Sequence, residues 1–238
     1  EGKKNMLING LVWMGEEQFM KTQIEEKLAQ GFSCIKLKIG AIDFDKELGL
    51  LRFIRQNFDA KTIEIRVDAN GAFNSNEALS KLNQLNEFEL HSIEQPIKAN
   101  QIQEMKLLCH QTPFPIALDE ELIGVFETED KRKLLEEIQP QYIILKPSLV
   151  GGFKGTLEWI SIAESLNIGW WITSALESNI GLNAITQFTF TLNNPMPQGL
   201  GTGGLYTNNF DCPLQIENGH IQYNVDKQWG ISNLGLQL

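Results

Sequence analysis

The sequence is poor in cysteine, in histidine and in positive charge, and each shortage closes a class of explanation. Its three cysteines, Cys34, Cys109 and Cys212, lie far apart with no C-x-x-C pair. A disulfide framework or a cysteine zinc site is therefore not expected, and a reducing cytoplasmic location fits. The three histidines, His91, His110 and His220, show no metal-ligand spacing. Lys and Arg number 20 against 30 Asp and Glu, a formal net charge of -10. Nucleic acid is not an expected partner, because phosphate backbones demand a basic surface. A local cluster of lysines can still receive a small anion. No apolar run approaches the roughly 18 residues of a membrane span, and no basic-then-apolar leader opens the sequence, so neither a membrane partner nor secretion is expected. No glycine-rich phosphate loop follows the first strand candidate, which disfavours a doubly wound open sheet.

What is present is a rhythm. Across 238 residues, a short β-branched run, a polar turn and a helical stretch recur with a period of roughly 25 to 35 residues, the pattern of parallel strands joined by helices. Strands are predicted at 7–13, 33–39, 63–67, 91–93, 116–118, 142–145 and 169–172, with an eighth within the glycine-rich segment 195–206. Helices are predicted at 16–29, closed by Gly31, at 43–57, at 75–86 with Asn74 or Ser75 as cap, at 156–166 and at 180–191. The expected fold is α/β, a TIM barrel of (β/α)7β type, a class that typically needs about 250 residues. The barrel is assigned to residues 1–206. Residues 207–238 form a tail, with a hairpin turning at Glu217-Asn218-Gly219-His220.

Three predicted strands end in an acid: Asp68, Glu94 and Asp119, one βα unit apart. In a barrel the strand C-termini converge on one mouth. Three carboxylates there repel one another unless a cation offsets them, and hard oxygen ligands suit Mg²⁺. In Cys34-Ile35-Lys36-Leu37-Lys38-Ile39 the period of two puts Lys36 and Lys38 on one face, and a barrel strand makes that face the interior. Each lysine is expected to depress the other's pKa, giving an amine able to act as a base near neutral pH. The sixth strand runs into Lys146, across the barrel from that pair. Of the two adjacent tryptophans, Trp170 and Trp171, one should face the interior and the other the helices.

These residues resemble those of the enolase superfamily, and most closely its muconate-lactonising subgroup. The resemblance covers nearly all of 7–206: K-x-K on strand two, Asp, Glu and Asp on strands three to five, and Lys on strand six. Asp68-Ala69-Asn70, Glu94-Gln95-Pro96, Asp119-Glu120, Lys146-Pro147-Ser148-Leu149-Val150-Gly151-Gly152, Ser174-Ala175-Leu176-Glu177-Ser178-Asn179 and Gly199-Leu200-Gly201-Thr202 each match a segment of that subgroup. The resemblance implies one Mg²⁺, replaceable by Mn²⁺, on Asp68, Glu94 and Asp119. It implies Lys38 as the base, Lys36 as its modulator and Lys146 as a cation on the opposite face. Asn70, Ser174, Ser178, Asn179, Gly199 and Thr202 are implied around the substrate.

The loop segments further imply a small carboxylate substrate, 2-succinyl-6-hydroxy-2,4-cyclohexadiene-1-carboxylate, dehydrated through an enediolate to 2-succinylbenzoate on the route to menaquinone. Dipeptide epimerases and N-succinylamino acid racemases of the superfamily would use the same lysines. The epimerases usually carry a D-x-D near strand eight, where this sequence has Gly199-Leu200-Gly201-Thr202-Gly203. A non-catalytic barrel scaffold is the remaining reading. The resemblance also implies an α+β capping domain before the barrel, which this sequence is expected to lack, leaving an apolar patch near the N-terminus and tail. Nothing in the sequence fixes an oligomeric state.

Overall fold

A computed structural model of the chain describes residues 5–230. The elements follow the predicted alternation: β1 (Asn5–Leu7), β2 (Gly10–Val12), α1 (Glu17–Ala29), β3 (Cys34–Lys38), α2 (Phe44–Asn57), β4 (Glu64–Asp68), α3 (Ser75–Leu85), β5 (Ser92–Glu94), α4 (Ile102–Gln111) and β6 (Ile116–Leu118). Then come α5 (Thr128–Ile138), β7 (Tyr142–Leu145), α6 (Gly152–Ser165), β8 (Gly169–Ile172), α7 (Asn179–Leu192), β9 (Leu214–Glu217) and β10 (His220–Tyr223). Strands β2 to β8 pair in sequence order as one parallel sheet. Parallel bridges from Ile8 to Gln198 and from Thr173 to Gly199 join its two edges and close the barrel. The predicted eighth strand is thus reduced to two bridging residues, because Pro195, Pro197 and the glycines beyond cannot sustain a ladder.

The single strand predicted at 7–13 is two. Ile8 N donates to Gly219 O, and the next amide, Asn9 N, donates to Gln198 O. The chain changes partner there, leaving the antiparallel sheet β1-β10-β9 for the barrel. That sheet contains the predicted hairpin. Asn218 and Gly219 take the positive φ angles of a two-residue turn, 48° and 69°. Residues 1–4 and 231–238, the latter part of the predicted tail, lie outside the described residues.

Local chemistry accounts for the boundaries. The Asp43 carboxylate accepts from Asp45 N at 3.1 Å and the Asn74 amide oxygen from Asn76 N at 3.2 Å, capping α2 and α3. Gly31, at φ 76°, ends α1, with Phe32 N donating to Lys27 O and Gly31 N to Leu28 O. Helix α6 begins earlier than its apolar period suggests, because Gly151 and Gly152 turn into it at positive φ.

Two apolar layers hold the barrel. Outside the sheet, Ile35, Leu37, Ile65, Val67, Ile93, Ile116, Leu118 and Ile143 are fully buried against the helices, each burial stabilising by about 1.5–3 kcal/mol. Inside, Ala117, Ile144 and Trp171 form a separate small cluster, flanked by Tyr142 and Met196. Trp171 therefore fills the barrel and Trp170 faces the helices, where its Nε1 donates to Glu164 at 3.2 Å. The interior cluster closes the barrel low down and leaves the C-terminal ends of the strands to polar side chains. No helix among the described residues is long and apolar enough to cross a membrane.

Candidate active site

The period of two places alternate residues of each strand inside the barrel, and the register stacks them. Lys36 lies beside Arg66, Lys38 beside Asp68, and Asp68 beside Glu94. Asp119 and Lys146 follow the last residues of β6 and β7. All of the predicted acids and lysines thus meet at one mouth. Lys36 Nζ lies 2.9 Å from Asp68 Oδ2 and also donates to Glu94 Oε2. Lys38 Nζ donates to the same Asp68 oxygen at 2.6 Å and to Asn70 Oδ1 at 2.6 Å. Across the mouth Lys146 donates to Asp119 Oδ2.

The charges settle unevenly. Burial opposes ionisation of Asp68, but Lys36 and Lys38 outweigh it and hold the carboxyl below the usual range. Burial likewise disfavours the Lys36 ammonium, yet Asp68 and Glu94 keep it above an ordinary lysine. The expected lowering of Lys36 is therefore not found: two carboxylates within contact outweigh one neighbouring ammonium. Lys146 is also raised, burial being overcome by Asp119 and Glu94. Glu94 moves the other way, pushed well up by burial and by Asp68 and Asp119. Its Oε1 is buried with no hydrogen-bond partner among the described residues.

Among the described residues no three acids, histidines or cysteines converge as a ready cation cage; lysines hold the carboxylates instead. The donor set nonetheless fits a hard divalent cation. The orphaned Glu94 oxygen is buried beside two further carboxylates, and a cation there would both partner it and offset their charge.

A cavity of about 240 Å³ opens above these groups, lined by Lys36, Lys38, Glu94, Lys146, Ser174 and Thr202, with Asn9, Leu11, Trp13, Thr173 and Gly199 among its walls. Ser174 Oγ and Thr202 Oγ1 are 2.6 Å apart. The Gly199 amide donates to Ile172 O and its carbonyl accepts from Ser174 N, so its backbone serves the barrel seam as it lines the cavity. The structure does not bring Ser178 and Asn179 to this wall. Asn179 Nδ2 donates to Phe210 O, and its side chain lines a different cavity of about 300 Å³ beside the hairpin. Asn70 meets the site through Lys38 rather than through the cavity wall.

Several contributors have no role in the sequence-based expectation, although Gln95 and Glu177 lie within matched segments. Gln95 Oε1 accepts from Asp119 N at 3.2 Å and its Nε2 donates to Ile97 O at 3.0 Å, so it props the third acid from the second acid's strand. Glu177 accepts from Ser148 Oγ and from Ala175 N, tying the loop after Lys146 to the loop after β8. Beneath the site Arg66, only 1% exposed, lies 4.2 Å from the Trp171 ring and donates to Glu64 at 2.7 Å and to Pro197 O at 2.9 Å. The alternation Glu64, Arg66, Asp68 was the available signal for it, since Asp68 shares its face.

Comparison with known proteins places this architecture. Residues 20–232 match the family model described as enolase C-terminal domain-like. The chain is 57% identical over 218 residues to o-succinylbenzoate synthase of Desulfotalea psychrophila, covering 92% of this chain and 59% of that protein. The crystal structure of MenC from Desulfotalea psychrophila LSv54 superposes with a TM-score of 0.86 at 55% identity, over 93% of this chain and 61% of that one. The L-Ala-D/L-Glu epimerase of Bacillus subtilis is 25% identical over 211 residues, 86% of this chain and 54% of that protein. The chain thus spans little more than half the length of these relatives.

Proposed function

This chain belongs to the enolase C-terminal domain-like family, and on that premise we propose that its protein is an o-succinylbenzoate synthase. It would dehydrate 2-succinyl-6-hydroxy-2,4-cyclohexadiene-1-carboxylate to 2-succinylbenzoate in menaquinone biosynthesis. The observation that carries the proposal is the opposition of Lys38, paired with Asp68, to Lys146, paired with Asp119, across one carboxylate-lined mouth.

Lys38 is the base. Its free amine takes the proton α to the ring carboxylate, and the electron pair left behind spreads into that carboxylate as an enediolate. Lys146, held cationic by Asp119, faces the opposite side and stabilises the developing charge. The pair then returns to form the ring double bond as the C–O bond breaks, and Lys38 gives its proton to the departing hydroxide, releasing water. Lys36, held cationic between Asp68 and Glu94, is a fixed positive charge on the Lys38 side. Asp68, Glu94 and Asp119 would hold Mg²⁺, or Mn²⁺ in its place, which when bound supplies Lewis-acid stabilisation of the substrate carboxylate. Ser174 and Thr202 line the cavity wall and receive the distal succinyl group. The three free thiols support a cytoplasmic location.

The greater identity to a synthase than to an epimerase, with no acid among Gly199-Leu200-Gly201-Thr202-Gly203, favours dehydration over epimerisation. The test is an assay of the full-length protein with Mg²⁺ on the cyclohexadiene substrate and, separately, on an N-succinylamino acid and L-Ala-L-Glu in deuterated water. Aromatic product is expected from the first. Deuterium exchange in the others without any dehydration of the first would overturn the proposal.

A further inference from the structure

Lys38 is gripped from two sides, and the two grips differ. The Asp68 oxygen it touches is shared with Lys36, at 2.6 Å and 2.9 Å respectively, so that carboxylate alone does not aim the Lys38 amine. Asn70 Oδ1, also at 2.6 Å, touches Lys38 and no other lysine among the described residues. A carboxamide has two unlike ends, one accepting and one donating. Turned by half a rotation, Asn70 would set an NH₂ against the ammonium and lose the contact.

Glu120 decides the rotation. Asn70 Nδ2 donates to Glu120 Oε1 at 2.9 Å, which only one orientation of the amide allows. The Asn70 backbone is fixed as well, at φ 43° with its N–H donating to Asp68 Oδ1 at 3.1 Å. Glu120 follows Asp119 directly and opens the short 3-10 turn Glu120–Leu122. Neither Glu120 nor Asn70 lines the cavity, and the second Glu120 oxygen, Oε2, is buried without a partner among the described residues. Glu120 is thus placed against the amide that aims Lys38 rather than against substrate.

We propose that Glu120 is a positioning residue for Lys38, acting through Asn70: its carboxylate fixes the amide so that Oδ1, and not Nδ2, faces the lysine. The inference rests on the reading of Lys38 as the base. It also joins the two halves of the site, since the residue that aims Lys38 is the chain neighbour of the acid that holds Lys146.

The experiment compares Glu120→Gln, which keeps an oxygen able to accept from Asn70, with Glu120→Leu, which keeps bulk and removes it, both in the full-length protein. With the cyclohexadiene substrate at saturating Mg²⁺, Glu120→Leu should lose roughly 10- to 100-fold in kcat with KM changed by no more than about twofold. Glu120→Gln should recover most of that loss, and an α-deuterated substrate should show a larger isotope effect in the leucine variant. Equal kcat losses in both variants would overturn the proposal. So would a fall in Mg²⁺ affinity in both, measured by calorimetry, with kcat at saturating Mg²⁺ intact, which would make Glu120 a cation ligand instead. A crystal structure of Glu120→Leu decides independently of turnover. Asn70 Oδ1 withdrawn from Lys38 Nζ supports the lock, and the 2.6 Å contact retained refutes it. Should the wild type fail to dehydrate the substrate while that withdrawal is seen, the proposed reaction is wrong and the lock stands.

Discussion

At the residue scale the lysines and the half-buried His91 make separable predictions. Replacing Lys38 by Ala should cost roughly 10²- to 10⁴-fold in kcat, the usual contribution of a general base. Lys38→Arg should be no better, because a guanidinium keeps its proton at any working pH. Steady-state rates near wild type for either variant would remove Lys38 from the chemistry. His91 lies far from that role. Its ring packs 4.9 Å from Tyr142 at the closed end of the barrel, and burial, with Arg66 nearby, lowers its pKa below 6.5. A lowered pKa means that the unfolded chain binds the proton more readily, so stability is full above about 6.5 and drains away as pH falls. His91→Phe keeps a ring and removes the proton site. Its melting temperature should decline less than the wild type's between pH 7 and pH 5, and superimposed acid limbs in thermal melts would contradict this.

At the scale of elements, the legible parts of the fold were those with a clean apolar period or a short apolar run bounded by turn residues. Strands β3 to β8 and helices α1, α2, α3 and α7 fall within a residue or two of prediction, since their apolar residues alternate, run unbroken between turn residues, or recur at 3.6. Helices α4 and α5 were not predicted, and α5 shows why. Its buried face consists of Lys131, Leu135 and Ile138, and the buried Lys131 is paired with Glu158 of α6 at 2.6 Å. A lysine on the core side breaks the apolar stripe, and its partner is 27 residues away. Barrel closure was legible as a segment but not as a form: Gln198 and Gly199 lie within the predicted 195–206, yet they make two bridges, not a strand. Thr173 Oγ1 and Ser174 N both donate to Gly199 O, and a Cβ on residue 199 would meet Thr173 Oγ1 at 2.1 Å and Thr173 Cα at 3.2 Å. Gly199→Ala should therefore push the seam apart. The expected cost is about 1–3 kcal/mol, an overpacking penalty, which thermal unfolding would read at roughly 2–4 °C per kcal/mol. Because Ser174 and Thr202 shift with the seam, KM should rise more than kcat falls. Unchanged melting would show that the seam yields freely.

At the scale of the whole molecule, the site was more legible than the barrel that builds it. Asp68, Glu94, Asp119, Lys36, Lys38 and Lys146 could be placed together because each ends or lines a strand, and a barrel brings strand ends to one mouth. The contacts of Gln95 and Glu120, which lie in the matched segments beside two of those acids, could not be read, because hydrogen bonds from one loop to the next follow from tertiary geometry alone. The same geometry leaves a charge problem: among the described residues three lysines satisfy Asp68 and Asp119, while Glu94 keeps a buried oxygen without a partner. A cation that binds there binds only the folded state, since the three acids are strands apart in the unfolded chain. Mass action then makes Mg²⁺ a stabiliser, by about 2.7 kcal/mol at a hundred times its Kd, or roughly 5–10 °C in melting temperature for a domain of this size. Chelation should reverse the gain. Glu94→Gln removes the repulsion with Asp68 and Asp119 along with the anionic ligand, so it should melt at or above the metal-free wild type and gain little from Mg²⁺. If Mg²⁺ raised the two proteins equally, the cation would be acting elsewhere on a chain of net charge -10, and the three strand-end acids would be a lysine-held ion-pair network rather than a metal centre.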